Sequence, residues 1–160
     1  MTRAVPGIDY VAELAEIRSS YVSATPRQRL SVIRQRLEDH HLGPNRLVTA
    51  VSAVEALARS LAMHHKAKSR AELPKLYSKY RDRAPKALVR EYLEARGVTD
   101  PKTLFAEDTW QLFGYAVEYR NLLAHECTYL GLAKFPSLIE ACEEVLARLV
   151  KLGRIRETSR

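Results

Sequence analysis

The chain has 160 residues, of which 46% are hydrophobic and 28% charged, and its formal net charge is +7 at pH 7. This length favours a single folded domain with a buried core, and the composition excludes a chain that is disordered throughout. No apolar stretch approaches the ~20 residues needed to span a bilayer, and the first residues lack the apolar centre of a signal peptide, so we expect a cytoplasmic protein without a membrane segment.

The first part of the chain is predicted to form three helices. The first covers residues 8–23, and the second has Thr25 as its cap and Pro26 in its first turn. Gly43 ends the second helix, and apolar residues at spacings of three and four then predict a long core helix over residues 47–68. The apolar stripe of the first helix consists of Val11, Leu14, Ala15 and Ile17.

The second part of the chain continues with helical signals. Ser69 followed by Glu72 predicts a capping box at the start of a short basic helix. The remaining predicted elements are a helix over residues 84–97, a connecting loop over 98–106, and helices over 108–129 and 137–153.

These signals predict an all-α fold, a helical bundle with short flanking helices. No alternating β-branched run and no hairpin turn sequence occurs in the chain. We expect one domain over residues 1–153, in which residues 1–42 form a helical N-terminal extension, and a disordered tail over 154–160.

The positive charge is concentrated in one segment. Nine basic and two acidic residues lie from Lys66 to Arg90, an excess equal to the net charge of the whole chain, and Tyr77 and Tyr80 are interleaved with them. Such a pattern suits a polyanion such as RNA, but a solvated helix surface has the same pattern. The residues predicted to bind RNA are Lys75, Lys79, Arg81, Arg83 and Lys86.

No metal or cofactor site is predicted. The two cysteines, Cys127 and Cys142, fall on predicted helices and are expected to be reduced. The histidines that adjoin one another in sequence point about 100° apart on a helix, so they do not form a ligand pair by themselves.

Residues 120–125, Arg-Asn-Leu-Leu-Ala-His, carry the chemistry of the chain. Arg120 falls within an apolar stripe, where an unpaired charge is costly, so it must pair, reach a cleft or face another subunit. Asn121, His125 and Tyr129 follow one another at spacings of four and lie along one side of the helix.

Two interpretations of this segment remain open. A guanidinium that holds a phosphate and an imidazole that moves protons, with an RNA 2′-hydroxyl as nucleophile, are sufficient for RNA cleavage without a metal. Alternatively, Arg120 forms an internal ion pair with Glu55, while His125 and Tyr129 are packing residues.

The segment resembles the signature of the HEPN domains, in which an Arg, a polar residue, three further residues and a His lie late in a helical bundle. Tyr119 and Glu126, which flank it, resemble common variants of that signature. Residues 51–59 resemble the long helix with an acidic residue that packs against it, and the resemblance covers residues 47–150.

The resemblance implies a metal-independent endoribonuclease that acts as a homodimer, with two such helices meeting at a two-fold axis. Arg120 would bind the scissile phosphate, His125 would be the general acid or base, and Asn121 would orient one of them. We expect Arg120 and His125 to face one groove, completed by a second subunit, with RNA as substrate and a 2′,3′-cyclic phosphate as product.

Members of the family often act as toxins or phage-defence effectors with an antitoxin partner, and others are non-catalytic binding modules. In one subgroup a nucleotidyltransferase adenylylates a Tyr two residues after the His. Cys127 occupies that position here, and Tyr129 follows two residues later.

Overall fold

The computed structural model describes residues 9–38, 45–106, 108–125 and 135–157. Within these ranges the protein has seven helices and no strand, which confirms the predicted all-α bundle. No helix in them is long and apolar enough to cross a membrane. The helices are α1 (Tyr10–Ser23), α2 (Pro26–Glu38), α3 (Arg46–Lys66), α4 (Leu73–Tyr80), α5 (Pro85–Ala95), α6 (Thr109–His125) and α7 (Phe135–Leu152), with short 3-10 turns at Arg70–Glu72 and Pro101–Thr103.

The bundle is organised around α3, which packs against α2, α4, α5, α6 and α7. Its apolar side chains recur every three or four residues, and Val51, Leu57 and Ala58 have no exposed surface. Helices α6 and α7 also pack against each other, so they form the centre of the bundle with α3. Leu30 and Ile33 of α2 belong to the same hydrophobic core.

Side-chain caps begin the first two helices. The Asp9 carboxylate accepts hydrogen bonds from the backbone N–H groups of Val11 and Ala12, both at 3.1 Å. At α2, the Thr25 N–H donates to Gln28 Oε1 at 2.8 Å, and the Gln28 N–H donates to Thr25 Oγ1 at 3.2 Å. This reciprocal capping box confirms the predicted cap at Thr25.

The capping box predicted at Ser69 and Glu72 is wrong. The Ser69 side chain makes no cap hydrogen bond, and the Glu72 carboxylate instead accepts from the Lys68 N–H at 2.6 Å. A 3-10 turn precedes α4, so Glu72 occupies the N-cap position of α4 rather than its third residue.

The predicted first helix is present as α1, but its apolar stripe does not face the core. Val11, Leu14 and Ile17 are 79%, 62% and 63% exposed, and Ala15 is exposed as well. α1 joins the bundle near its C-terminal end, where Val22 is buried and the Tyr21 ring meets Tyr77 of α4 edge-on at 5.5 Å. These residues come after the apolar stripe, which has no described partner.

Residues 154–157 follow the last helix and contact the bundle. Ile155 packs against the core, and Glu157 Oε1 lies 2.8 Å from Arg34 Nε of α2. The predicted start of a disordered tail at Arg154 therefore differs from the structure for these four residues. Residues 158–160 lie outside the described ranges.

Candidate active site on α6

Helix α6 carries the predicted catalytic residues in its last two turns. It begins next to the predicted start, and the backbone carbonyl of Asp108 accepts from the Leu112 N–H at 2.9 Å. Arg120 continues the inner face of the helix by its spacing, as the sequence predicts. The other inner-face residues, all buried, are Trp110, Phe113, Ala116 and Val117.

The Arg120 guanidinium is bound on two sides and is 17% exposed. Its Nη1 donates to Glu55 Oε2 of α3 at 3.0 Å, and its Nε donates to Asn121 Oδ1 at 3.0 Å. The ion pair between α6 and α3 offsets the cost of placing a charge on the inner face. The internal ion pair, one of the two interpretations left open by the sequence, is therefore present.

The Glu55 carboxylate is shared by two guanidinium groups. Its Oε1 lies 2.5 Å from Arg59 Nη2, one turn further along α3. Arg59 is 8% exposed and also donates to the Tyr21 hydroxyl at 3.2 Å and to the Arg81 carbonyl at 3.3 Å. Burial alone would lower the pKa of Arg59, but Tyr21 and Glu55 outweigh it, so the pKa is raised.

His125 lies on the other side of α6 from Arg120. Five residues of α-helix turn through roughly 500°, which leaves the two side chains roughly 140° apart. His125 is exposed, whereas Arg120 lines a cavity beside α2 and α3 to which His125 does not contribute. Within one chain the two groups therefore do not face the same side of α6, and the expected groove completed by a second subunit stays a prediction.

Of the remaining residues near the predicted site, some lie within the described ranges and others lie outside them. Asn121 is exposed, and its side-chain oxygen holds the Nε end of the Arg120 guanidinium. Tyr129, which the sequence places along one side of the predicted helix with Asn121 and His125, lies outside the described ranges, and so does Cys127. The described part of the site therefore consists of Arg120, Asn121 and His125, together with Glu55.

Beside His125, the outer face of α6 carries two large apolar side chains. Tyr115 and Leu122 are 46% and 47% exposed, and their spacing of seven residues places them on one side of the helix. The Tyr115 hydroxyl accepts from Gln111 Nε2 at 3.1 Å. The predicted general acid or base thus lies next to an exposed apolar strip.

Three of the predicted RNA-binding residues project into solvent. Lys75 and Lys79 are exposed on α4, and Arg81 is exposed just after it. Arg81 Nε lies 3.3 Å from Asp82 Oδ2, so part of its charge is offset. The nearby Lys66 ammonium lowers the pKa of Lys79, which reflects the crowding of positive charge here.

The other two predicted RNA-binding residues are half-buried and already contact other side chains of the chain. Arg83 pairs with Glu91 of α5 and lies over the Tyr80 ring, with Cζ 4.6 Å from the ring centre. Lys86 Nζ lies 4.6 Å from the centre of the Trp110 ring. These cation–π contacts tie both side chains to the bundle.

The described ranges contain no cluster of three or more His, Cys, Asp or Glu side chains that could hold a metal ion. Cys142 of α7 is buried, and burial raises the pKa of its thiol to about 12. A thiol held protonated at neutral pH is a poor nucleophile and a poor metal ligand.

The sequence did not reveal a basic cavity of about 370 Å³ next to Arg120. Arg29 and Arg36 of α2 and Arg59 of α3 line it together with Arg120. Three helices supply these residues, so no local motif marks them. The one available signal was the spacing of four between Glu55 and Arg59, which predicts a helical ion pair.

Comparisons with protein-family models, with curated proteins and with solved structures found no match to this chain.

Proposed function

We propose that the chain is a metal-independent endoribonuclease of the HEPN type whose active site is completed by a second copy of the chain. The arrangement on α6 carries the proposal: Arg120 is held by Asn121, and the exposed His125 follows within two turns. A fixed cation, a proton acceptor and the 2′-hydroxyl of RNA are the groups that metal-free cleavage requires.

In the proposed reaction, His125 of one copy takes the proton from the 2′-hydroxyl, and the 2′-oxygen attacks the adjacent phosphorus. Arg120 binds the non-bridging oxygens and stabilises the negative charge that develops on them. The bond from phosphorus to the 5′-oxygen breaks, and the protonated His125 of the other copy gives its proton to that oxygen. The products are a 2′,3′-cyclic phosphate and a 5′-hydroxyl.

Arg120 must exchange Glu55 for the phosphate in this reaction. Glu55 keeps a second partner, because Arg59 Nη2 lies 2.5 Å from its other oxygen. The exchange therefore does not leave an unpaired carboxylate at the edge of the core, which would be costly. Asn121 keeps its hydrogen bond to Nε in our proposal, so it orients the guanidinium while the other nitrogens turn to the substrate.

The second copy is proposed to dock along the outer face of α6. Tyr115 and Leu122 offer apolar surface there, and aromatic residues are enriched in interface cores. Since Arg120 points to the inner face, its guanidinium would turn from Glu55 towards this interface when the phosphate binds, and the two His125 side chains would meet there.

The test is cleavage of tRNA and mRNA by the purified chain in EDTA. We expect cleavage with a 2′,3′-cyclic phosphate end, its loss in His125→Ala with an unchanged circular dichroism spectrum, and no effect of His65→Ala, an exposed histidine on α3. Substrate with 2′-O-methyl groups should resist cleavage, because the nucleophile is blocked. If the unaltered chain cuts none of these RNAs in EDTA, the proposal is wrong.

We also propose that this activity serves a toxin or defence effector restrained by an antitoxin partner. An RNA-cleaving protein restricts growth when nothing restrains it. Expression of the chain should then stop growth, and expression of His125→Ala to the same level should not. Equal growth inhibition by both would separate any toxicity from the proposed cleavage.

A second candidate function is an RNA-binding module without catalysis. The ion pair of Arg120 with Glu55 favours it, because the guanidinium is already partly neutralised. This candidate predicts no cleavage, and salt-sensitive RNA binding that the double variant Lys75→Glu/Lys79→Glu weakens, with a salt slope smaller by about 1–2. Lys151→Glu, at the exposed end of α7, is the control that should leave binding nearly unchanged.

A further inference from the structure

The cavity between α2, α3 and α6 combines strong positive charge with a preformed shape. Its volume is about 370 Å³, within the range of small-molecule sites. Four guanidinium groups and one carboxylate line it, which leaves three net positive charges. These charged residues are Arg29, Arg36, Arg59, Arg120 and Glu55.

Three of the guanidinium groups are held in place before any ligand arrives. Arg29 lies over the Tyr21 ring with Cζ 3.7 Å from its centre, and donates to the Tyr21 carbonyl at 3.1 Å. Arg59 and Arg120 are fixed by the two oxygens of Glu55. Groups fixed in this way lose little conformational freedom when they bind an anion.

One of the residues that line the cavity also has an unmet hydrogen-bonding group. The Nε atom of Arg59 is buried without a hydrogen-bond partner among the described residues, and the residue as a whole is only 8% exposed. Burial lowers the pKa of Arg29, and the positive charge of Arg59 lowers it further. A buried charged donor without a partner and like charges in proximity both favour an anion at this place.

The rest of the wall suits the uncharged part of a small ligand. Thr49 and Ser52 of α3 supply hydroxyl groups, and Val32, Ile33 and Ala53 supply apolar surface. A bare inorganic anion would use only the arginines. The combination indicates a ligand with a charged head and a small hydroxylated body.

We propose that this cavity binds a small organic phosphate ester, with the phosphate dianion among Arg36, Arg59 and Arg120 and the organic part against α2 and α3. Guanidinium groups bind phosphate oxygens through paired, charge-assisted hydrogen bonds. The proposal does not depend on RNA cleavage: the site shares Arg120 with the proposed active site but does not use His125.

Isothermal titration calorimetry of the full chain tests the proposal with ribose 5-phosphate as the probe. We expect saturable binding of ribose 5-phosphate, weaker binding of inorganic phosphate, and none of ribose. Arg36→Ala should weaken binding about ten- to hundredfold, because a charge-assisted contact is lost at the exposed rim, where the fold tolerates the change. Arg27→Ala, an exposed arginine of the same helix outside this cavity, should leave it within about twofold.

Binding should also be unchanged in His125→Ala, which separates this site from the proposed cleavage. Absence of saturable binding would overturn the proposal, and so would equal losses in Arg36→Ala and Arg27→Ala, since these indicate general charge attraction. Binding of a 5′-phosphorylated oligoribonucleotide but not of ribose 5-phosphate would overturn it as well, and would assign the cavity to RNA ends.

Discussion

Arg120 of α6 and Glu55 of α3 form an ion pair at 3.0 Å that joins these two helices at the edge of the core. The pair is unequal, because Glu55 has a second cationic partner in Arg59, whereas the other group that holds Arg120 is the neutral amide of Asn121. Removing either member should therefore have different effects on the folded protein.

Glu55→Gln should lower the free energy of unfolding by about 2–4 kcal/mol, because it leaves Arg59 buried without a counter-charge. Arg120→Gln should cost about 1 kcal/mol or less, because Glu55 keeps Arg59. Urea denaturation at pH 7 of both variants measures the difference. A loss in Arg120→Gln as large as in Glu55→Gln would mean that Arg120 is chiefly a structural residue.

Acid should weaken the anchor at the start of α6. The Ala106 N–H donates to Glu144 Oε1 at 2.8 Å and the Thr109 hydroxyl to Oε2 at 2.5 Å, and both lower the pKa of Glu144. A lowered folded-state pKa gives stability that is present above about pH 4.5 and is lost as the pH falls through the folded value.

Glu144→Gln should therefore cost about 1 kcal/mol at neutral pH, since it loses charge-assisted hydrogen bonds, and less at pH 3, which lies below the ordinary pKa of the carboxyl and closer to its lowered folded value. Urea denaturation at both pH values measures this. Glu140→Gln, exposed one turn earlier on α7, is the matched control. The same cost at both pH values would contradict the assigned role of the charge.

Alkaline pH should lower the stability of the folded chain by ionising the buried thiol of Cys142. The pKa of its thiol is about 12 in the folded chain against an ordinary value of 9.0. A raised pKa means that its contribution to stability is complete below the unfolded value and is lost as the pH rises from about 9 to 12. Cys142→Ala should therefore reduce the alkaline fall in stability relative to the unaltered chain.

The thiol also offers a chemical measurement. In a Cys127→Ser background, iodoacetamide at pH 8 should modify Cys142 of the folded chain about a hundredfold more slowly than in urea, because the thiolate is rare and covered. Similar rates in the two conditions would show that the α7 core opens readily.

The exposed apolar side chains on the outer face of α6 lead us to predict that the chain forms a dimer. Leu122→Asp should lower the association constant of the dimer by at least about tenfold, because it places a charge in the proposed apolar contact. Sedimentation velocity measures the change. Leu14→Asp, which alters a more exposed leucine on α1, is the control and should have no effect. A monomeric unaltered chain at high concentration would remove the basis for a shared active site.

Much of the fold could be predicted because the main signals are local. The spacing of apolar residues on α3 and α7 and the cap at Thr25 depend on a few neighbouring residues, and the structure has these features. The exposure of the apolar stripe on α1 could not be predicted, because periodicity shows that a helix has an apolar face but not whether another element covers it. The capping box predicted at Ser69 and Glu72 was wrong because the chain makes a 3-10 turn where an α-helix was expected.

The site was only partly predictable for a similar reason. The position of Arg120 in the buried stripe and its pairing with Glu55 were accessible, because one charge in an apolar stripe requires a partner. The separation of Arg120 from His125 on α6 follows from the five-residue spacing, which sets the two side chains roughly 140° apart. The meeting of Arg29, Arg36 and Arg59 depends on how α2 and α3 pack, which no local pattern contains.

The attachment of α1 through its last turn affects how the folded protein fluctuates. An isolated helix of about this length is marginal in water, and α1 has tertiary support from Tyr21 and Val22 but little around Val11 and Leu14. Its early turns can therefore open without exposing the core. Their amide protons should exchange with solvent deuterium long before those of α3, at a rate that barely responds to low concentrations of denaturant.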